Sequence, residues 1–243
     1  MQAGVKSIFI SFQYKLRPKL CKTIEMMMKQ VISALLFVGM VACTSENKYN
    51  AMTTSLINGQ ANVSENMDTA TFGTGCFWCT EAIFEQLKGV VKVTSGYSGG
   101  TVKNPTYKQV TTGETGHAEC VQLIYEPEKI TFDELLEVFW QTHDPTTLNQ
   151  QGADIGTQYR SAIFYHDAKQ KERAEHYKTQ LNKDGVFANP IVTEISPVGK
   201  FYIAEDYHQE YYAANKNTNP YCAVVIRPKL DKFKKVFASK LKE

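Results

Sequence analysis

Two cysteines three residues apart, Cys76 and Cys79, follow a pair of glycines, Gly73 and Gly75, and open a run of helical pattern over residues 76–89, CFWCTEAIFEQLKG, that closes on Gly89. In the first turn of a helix the backbone N–H groups point outward and the macrodipole is positive. A cysteine there is expected to have a lowered pKa and to be a nucleophilic thiolate at neutral pH. Positions i and i+3 share a helical face, so Cys76 and Cys79 can form a disulfide once one of them is oxidised. Taken alone, the pair is also compatible with two small buried hydrophobes, with half of a zinc site, or with a thioredoxin-type disulfide exchanger. The bulky Phe77-Trp78 between the thiols and the lack of a βαβ opening argue against the exchanger. Cys120 and Cys222 stand far off as singletons, so no metal site is expected.

Short alternating elements must position this motif. Residues 90–97 alternate and end in a Ser-Gly-Gly turn, which predicts a strand, and residues 117–125 predict another. Residues 131–141 place Phe132, Leu135, Leu136, Phe139 and Trp140 at helical spacing, with Thr131 and Glu134 as a capping box. A strand is expected over 159–166 and a polar helix over 168–183, stopped by Asp184-Gly185. A strand over 191–195, a Tyr-rich helix over 204–215 and a Lys-rich helix over 231–241 complete the pattern. Mixed strands and helices of these lengths predict an α+β layer fold.

Composition agrees with one soluble domain behind a leader. The 243 residues are 43% apolar and 12% aromatic, with a formal charge of +2. Residues 1–43 hold six basic and one acidic side chain, so the remainder is net −3 and carries no basic stripe. Nucleic acid is therefore not an expected partner. Residues 31–42, VISALLFVGMVA, follow Lys29 and precede Cys43. The run is shorter than the roughly 20 residues of a membrane span and has the form of a secretory signal. The small Ala42 before Cys43 resembles a bacterial lipoprotein signal, with Cys43 as the lipidated residue, although Met40 replaces the usual Leu. Met26, Met27 and Met28 offer a second translation start. Residues 44–69 are polar and aperiodic and read as a flexible tether, leaving residues 70–243 as the catalytic domain. An exported monomer in the cell envelope, either held to the membrane by a lipid or periplasmic, is the expectation. A lipoprotein that merely binds peptides or metal through its thiols is the non-catalytic alternative.

GCFWC at 75–79 resembles the signature of peptide methionine sulfoxide reductase A. GYSGG at 96–100, NPTY at 104–107, TGHAE at 115–119, THDPT at 142–146, GADIGTQYRS at 152–161 and AEDYHQEYY at 204–212 follow in that family's order. The resemblance covers residues 70–230. It implies a single-domain two-layer α+β sandwich, with a central mixed β-sheet, flanking helices and a ferredoxin-like core. It also implies thiol-dependent reduction of methionine-S-sulfoxide, free or in proteins, with no bound cofactor and a thioredoxin-like reductant.

By the same resemblance Cys76 is the nucleophile and Glu119 the general acid. Tyr107 and Tyr159 hydrogen-bond the sulfoxide oxygen, Asp154 holds the site together, and Phe77 and Trp78 receive the substrate methyl group. Strand alternation supports Glu119 independently. It shares a face with Val121, Leu123 and Tyr125, where desolvation should raise its pKa and keep it protonated. Many family members carry resolving cysteines in a C-terminal tail, but here no cysteine follows Cys222. Cys79 is the favoured resolving thiol, with Cys222 the alternative. Cys120 is ranked last because it should face the other side of the sheet. His143 and His208 are read as hydrogen-bonded structural histidines.

Overall fold

Apolar side chains on both faces of the central strands make the sheet a buried layer. The computed structural model describes residues 67–243. The leader, Cys43 and nearly all of the 44–69 tether lie outside the described residues. The chain runs β1 (Asp68–Thr74), α1 (Phe77–Phe84), β2 (Val90–Ser98), α2 (Tyr107–Val110), β3 (Ala118–Tyr125), α3 (Phe132–Thr142), β4 (Gln150–Gln151) and β5 (Asp154–Ile155). It continues through β6 (Ser161–Tyr165), α4 (Ala168–Lys183), β7 (Glu194–Pro197), β8 (Tyr202–Ile203), α5 (Tyr211–Asn215) and α6 (Arg227–Val236). β1 therefore begins at Asp68, just inside the segment read as tether.

The six-stranded sheet has the order β7-β6-β1-β3-β2-β8, and β4 pairs with β5 as a separate hairpin. Neighbours are antiparallel except β6 and β7, so the sheet is mixed. The path β1-α1-β2-β3-α3-β6 with these neighbours is the ferredoxin-like core. On one face Phe72 of β1 packs against Phe84 of α1 and Phe139 of α3, with ring centroids 5.5 and 5.2 Å apart. On the other, Cys120, Ala162 and Phe164 pack against Val198 and Phe201. α4 joins α3 through the fork of Arg173 on Asp133, at 2.6 and 2.7 Å.

Locally encoded elements form where expected. The Thr131/Glu134 capping box is present at α3. Asp167 caps α4 by accepting from Gln170 N at 2.8 Å. Elements fixed by distant partners differ. α1 stops at Phe84 instead of reaching Gly89, because Leu87 pairs with Leu241 and Lys88 N donates to Lys240 O at 2.8 Å. β6 starts at Ser161, and Tyr159 lies in a preceding 3₁₀ turn, Thr157–Tyr159. β7 begins at Glu194, later than expected, since Ile191 N is taken by Asn182 Oδ1 and Val192 N by Pro145 O. The expected 204–215 helix is instead a 3₁₀ turn, Asp206–His208, and the short α5, separated by Glu210 at φ 49°. The Lys-rich helix starts earlier, at Arg227, directly after a π-helical turn at Cys222–Ile226. Among the described residues no helix is long and apolar enough to cross a membrane.

Candidate active site

β1 delivers the chain to Gly75, whose φ of 95° is open chiefly to glycine. A Cβ there would sit 2.7 Å from the Gln151 side chain. This tight turn makes Cys76 the N-cap of α1. Its carbonyl accepts from Cys79 N at 3.1 Å and from the Thr80 hydroxyl at 3.2 Å. Cys76 is only 7% exposed.

Glu119 reaches the same helix start from β3, where it pairs in register with Tyr97 of β2. Its Oε2 accepts from Phe77 N at 3.1 Å, and the residue is 1% exposed. Burial pushes its pKa up to about 8; the Phe77 N–H opposes the shift, and the neighbouring Asp154 and Cys79 add to it. A carboxyl in this setting keeps its proton at neutral pH, as the strand pattern predicts.

The thiol itself departs from the expectation. Burial pushes Cys76 well up instead of down, and Cys79 and Glu119 reinforce the shift. The helix terminus is not free to act alone: its first N–H is already taken by Glu119, and the low-polarity surroundings disfavour an anion beside a carboxyl. Cys79 carries the opposite shift. The hydrogen bond from Cys76 lowers it most, with help from Lys229 and Tyr221 against burial. Cys76 is thus the thiol that its surroundings hold protonated.

An aromatic wall covers this end of α1. Phe77 is fully buried, with Tyr97, Tyr107 and His208 rings around it at 5.9, 6.4 and 5.0 Å. Trp78 lies flat on Tyr211 at 3.7 Å and 8°, and Tyr221 meets it edge-on at 5.9 Å. Trp78 Nε1 donates to His208 Nδ1 at 3.1 Å. Tyr107 and Tyr159 are both held neutral, their pKa raised by burial first and by Glu119 second. Asp154 Oδ2 accepts from the Tyr221 hydroxyl at 2.9 Å.

Three of the four thiols in the described domain meet here: Cys76, Cys79 and Cys222 share one apolar cluster, with Tyr159 and Tyr221 packed on it. Cys120 lies across the sheet with Phe164. The structure therefore assembles every sequence-designated site residue except Cys43, which lies outside the described residues.

The family model for peptide methionine sulfoxide reductase matches residues 68–241. The chain belongs to that family. A peptide methionine sulfoxide reductase MsrA of Rhodopirellula baltica is 54% identical over 175 residues, 72% of this chain and 90% of that protein. One from Sulfolobus acidocaldarius is 54% identical over 178 residues, 72% of this chain and 97% of that protein. The methionine sulfoxide reductase A structure of Corynebacterium diphtheriae superposes with a TM-score of 0.58 at 39% identity, covering 65% of this chain and 80% of that one.

The sequence did not single out several members of this methionine sulfoxide reductase site. Glu205, Tyr211 and Tyr221 support the designated residues, beside His208, which is hydrogen-bonded as expected. Glu205 accepts from Tyr107 N and from the Tyr97 hydroxyl, each at 2.8 Å. Glu205 and Tyr211 stand in the AEDYHQEYY block; Tyr221 lies outside it and had no signal. His143 is structural as expected: it lies between Phe139 O and Ser161 Oγ, each 2.7 Å away, and burial lowers its pKa to about 4.

Proposed function

We propose that this protein reduces methionine-S-sulfoxide to methionine at Cys76, in proteins and as the free amino acid. The observation that carries the reading is a buried Glu119, its pKa raised by that burial, at the same helix start as the Cys76 thiol and walled by Phe77 and Trp78. The substrate methyl group is small and apolar and fits an aromatic wall, while the sulfoxide oxygen finds neutral donors in Tyr107, Tyr159 and Glu119.

As the Cys76 sulfur attacks the sulfoxide sulfur, Glu119 protonates the oxygen, and the thiol proton returns to the carboxylate. The hydroxyl then passes from the substrate sulfur to the Cys76 sulfur; the S–O bond and the transient S–S bond break, methionine leaves with the S–S electron pair, and Cys76 is left as a sulfenic acid. Sulfoxide and thiol thus become sulfide and sulfenic acid with no net proton taken up. A second thiol then displaces water from Cys76 and forms a disulfide. Cys79 is the proposed resolver: it lies three residues on, one turn of α1 from Cys76, in the same apolar cluster. Cys222, packed against both, is the alternative. A thioredoxin-like dithiol returns the two electrons by exchange. The chain needs no bound cofactor for these steps.

A single-turnover assay on the purified protein tests the reading. Loss of the S epimer of N-acetyl-methionine sulfoxide with two thiols consumed, abolished in Cys76→Ser, is expected. Reduction of neither epimer by the fully reduced protein would overturn it. Peptide mapping of the product is expected to give a Cys76–Cys79 disulfide; a Cys76–Cys222 bridge reassigns the resolver.

Export and anchoring belong to the same proposal. What supports them is the sequence of residues 31–43, with its basic flank, short apolar run and small residue before Cys43. The protein is proposed to work as a monomer in the cell envelope. Cys43→Ala should move it from the membrane to the soluble fraction; unchanged partition would remove the anchor.

A further inference from the structure

Glu81, 1% exposed, has no cation partner among the described residues and lies on the helix that carries Cys76, Phe77, Trp78 and Cys79. Three donors converge on it. Oε1 accepts from the Ser95 hydroxyl at 3.1 Å and from Glu210 N at 3.0 Å, and Oε2 accepts from Tyr211 N at 3.0 Å. Glu210 and Tyr211 are the N-cap and first residue of α5, and Glu210 has no side-chain cap of its own. Glu81 therefore satisfies, from another element, the N-cap and first-residue N–H groups that the helix itself leaves unpaired. It also supports Glu210 in a left-handed backbone, φ 49° and ψ 33°, that a non-glycine residue adopts only when its surroundings hold it there. The residue it fixes next, Tyr211, is the one whose ring lies flat on Trp78 at 3.7 Å.

We propose that Glu81 is a positioning residue for the substrate methyl pocket: it ties the Tyr211 ring to the α1 helix and so sets the slant of Trp78. The inference rests on the sulfoxide reductase reading above, in which Trp78 receives the methyl group. Glu81 acts through Tyr211 and touches none of the reacting groups; its hydrogen bonds go to Ser95, Glu210 and Tyr211 and not to Cys76, Glu119, Tyr107 or Tyr159.

The chemistry of the side chain makes the claim sharp. An amide of the same shape has one acceptor oxygen and one NH₂. In Glu81→Gln that oxygen can serve the Glu210 N–H or the Tyr211 N–H, and the amide nitrogen must face the other, two donors nose to nose. Turning the amide over exchanges the victim without removing the conflict. Ser95 can rotate its hydroxyl to suit either arrangement, so the strain falls on the backbone that carries Tyr211.

The test is single-turnover reduction of methyl and ethyl sulfoxide substrates by the purified protein across a range of substrate concentrations. For Glu81→Gln the apparent Kd for the methyl substrate is expected to rise about tenfold, and the preference for methyl over ethyl to shrink. The saturating rate of Cys76 oxidation should stay within about twofold of wild type. In a Tyr211→Leu background Glu81→Gln should add nothing further to Kd, because the ring through which it acts is gone. Should Glu81→Gln fail to fold, it is combined with Glu210→Gly, which relieves the left-handed residue, and Glu210→Gly alone becomes the reference. An unchanged Kd and an unchanged methyl preference, or a fall in saturating rate alone, would overturn the inference. Absence of turnover in the wild-type protein would instead remove the reductase reading beneath it.

Discussion

Glu119 sets the pH range of the first half-reaction. Its folded pKa of about 8 lies above the ordinary carboxyl value of 4.5, so the acid form persists at neutral pH. The rate of Cys76 oxidation should hold through pH 7 and fall as pH rises past about 8; a fall centred near pH 5 in single-turnover rates would remove Glu119 as the acid. Stability moves the same way. The folded state holds a proton between pH 4.5 and about 8 that the unfolded chain has released, so Glu119 makes folding less favourable as pH climbs through that window. Glu119→Gln should lose turnover, and its Tm relative to wild type should rise between pH 5 and pH 8. Thermal scans of both proteins at the two pH values check this. The raised Glu119 was legible from strand alternation, because its face is set by period-two geometry. The raised Cys76 was not: a local motif reports the helix terminus, whereas the burial comes from Tyr159, Tyr211, Tyr221 and Cys222, scattered along the chain.

At the scale of elements, the same contrast separates what could be read from what could not. α3 carries its own start signal and its own apolar stripe, so its bounds follow from adjacent residues. Thr131→Ala removes the acceptor for Glu134 N, which the Thr131 hydroxyl holds at 3.2 Å. It should lower stability by about 1 kcal/mol and leave single-turnover rates unchanged; urea unfolding with an unshifted midpoint would contradict it. Residues 204–215 have a helical composition but not a helical environment. The Gln209 side-chain amide pairs with both Ser95 N and Ser95 O at 3.0 Å and also bonds Ala204 O at 2.9 Å, acting as a short substitute strand. Glu81 then takes the next two N–H groups. Tertiary partners consumed the backbone hydrogen bonds that a continuous helix would have needed.

For the whole molecule, the C-terminal segment ties the catalytic helix to the rest of the domain. Lys242 N donates to Gln86 O at 2.8 Å, and Lys240 Nζ reaches Glu134 of α3 at 2.6 Å. Ending the chain after Val236 should lower Tm and speed amide hydrogen exchange in α1 more than in β1; equal exchange in the two would show that the tail does not brace the site. The ferredoxin-like order of strands was legible only through the family resemblance, since irregular connections gave no topology. The meeting of Cys222 with Cys76 was invisible to spacing, because 146 residues separate them.

The proton on Cys76 has a consequence beyond the repair reaction. Peroxides, which make the lesions this enzyme removes, attack thiolates, and a sheltered neutral thiol offers them little. Burial of the Cys76 thiol thus slows its direct oxidation, independently of its neighbours. Iodoacetamide at pH 7 should label Cys76 more slowly than it labels free cysteine.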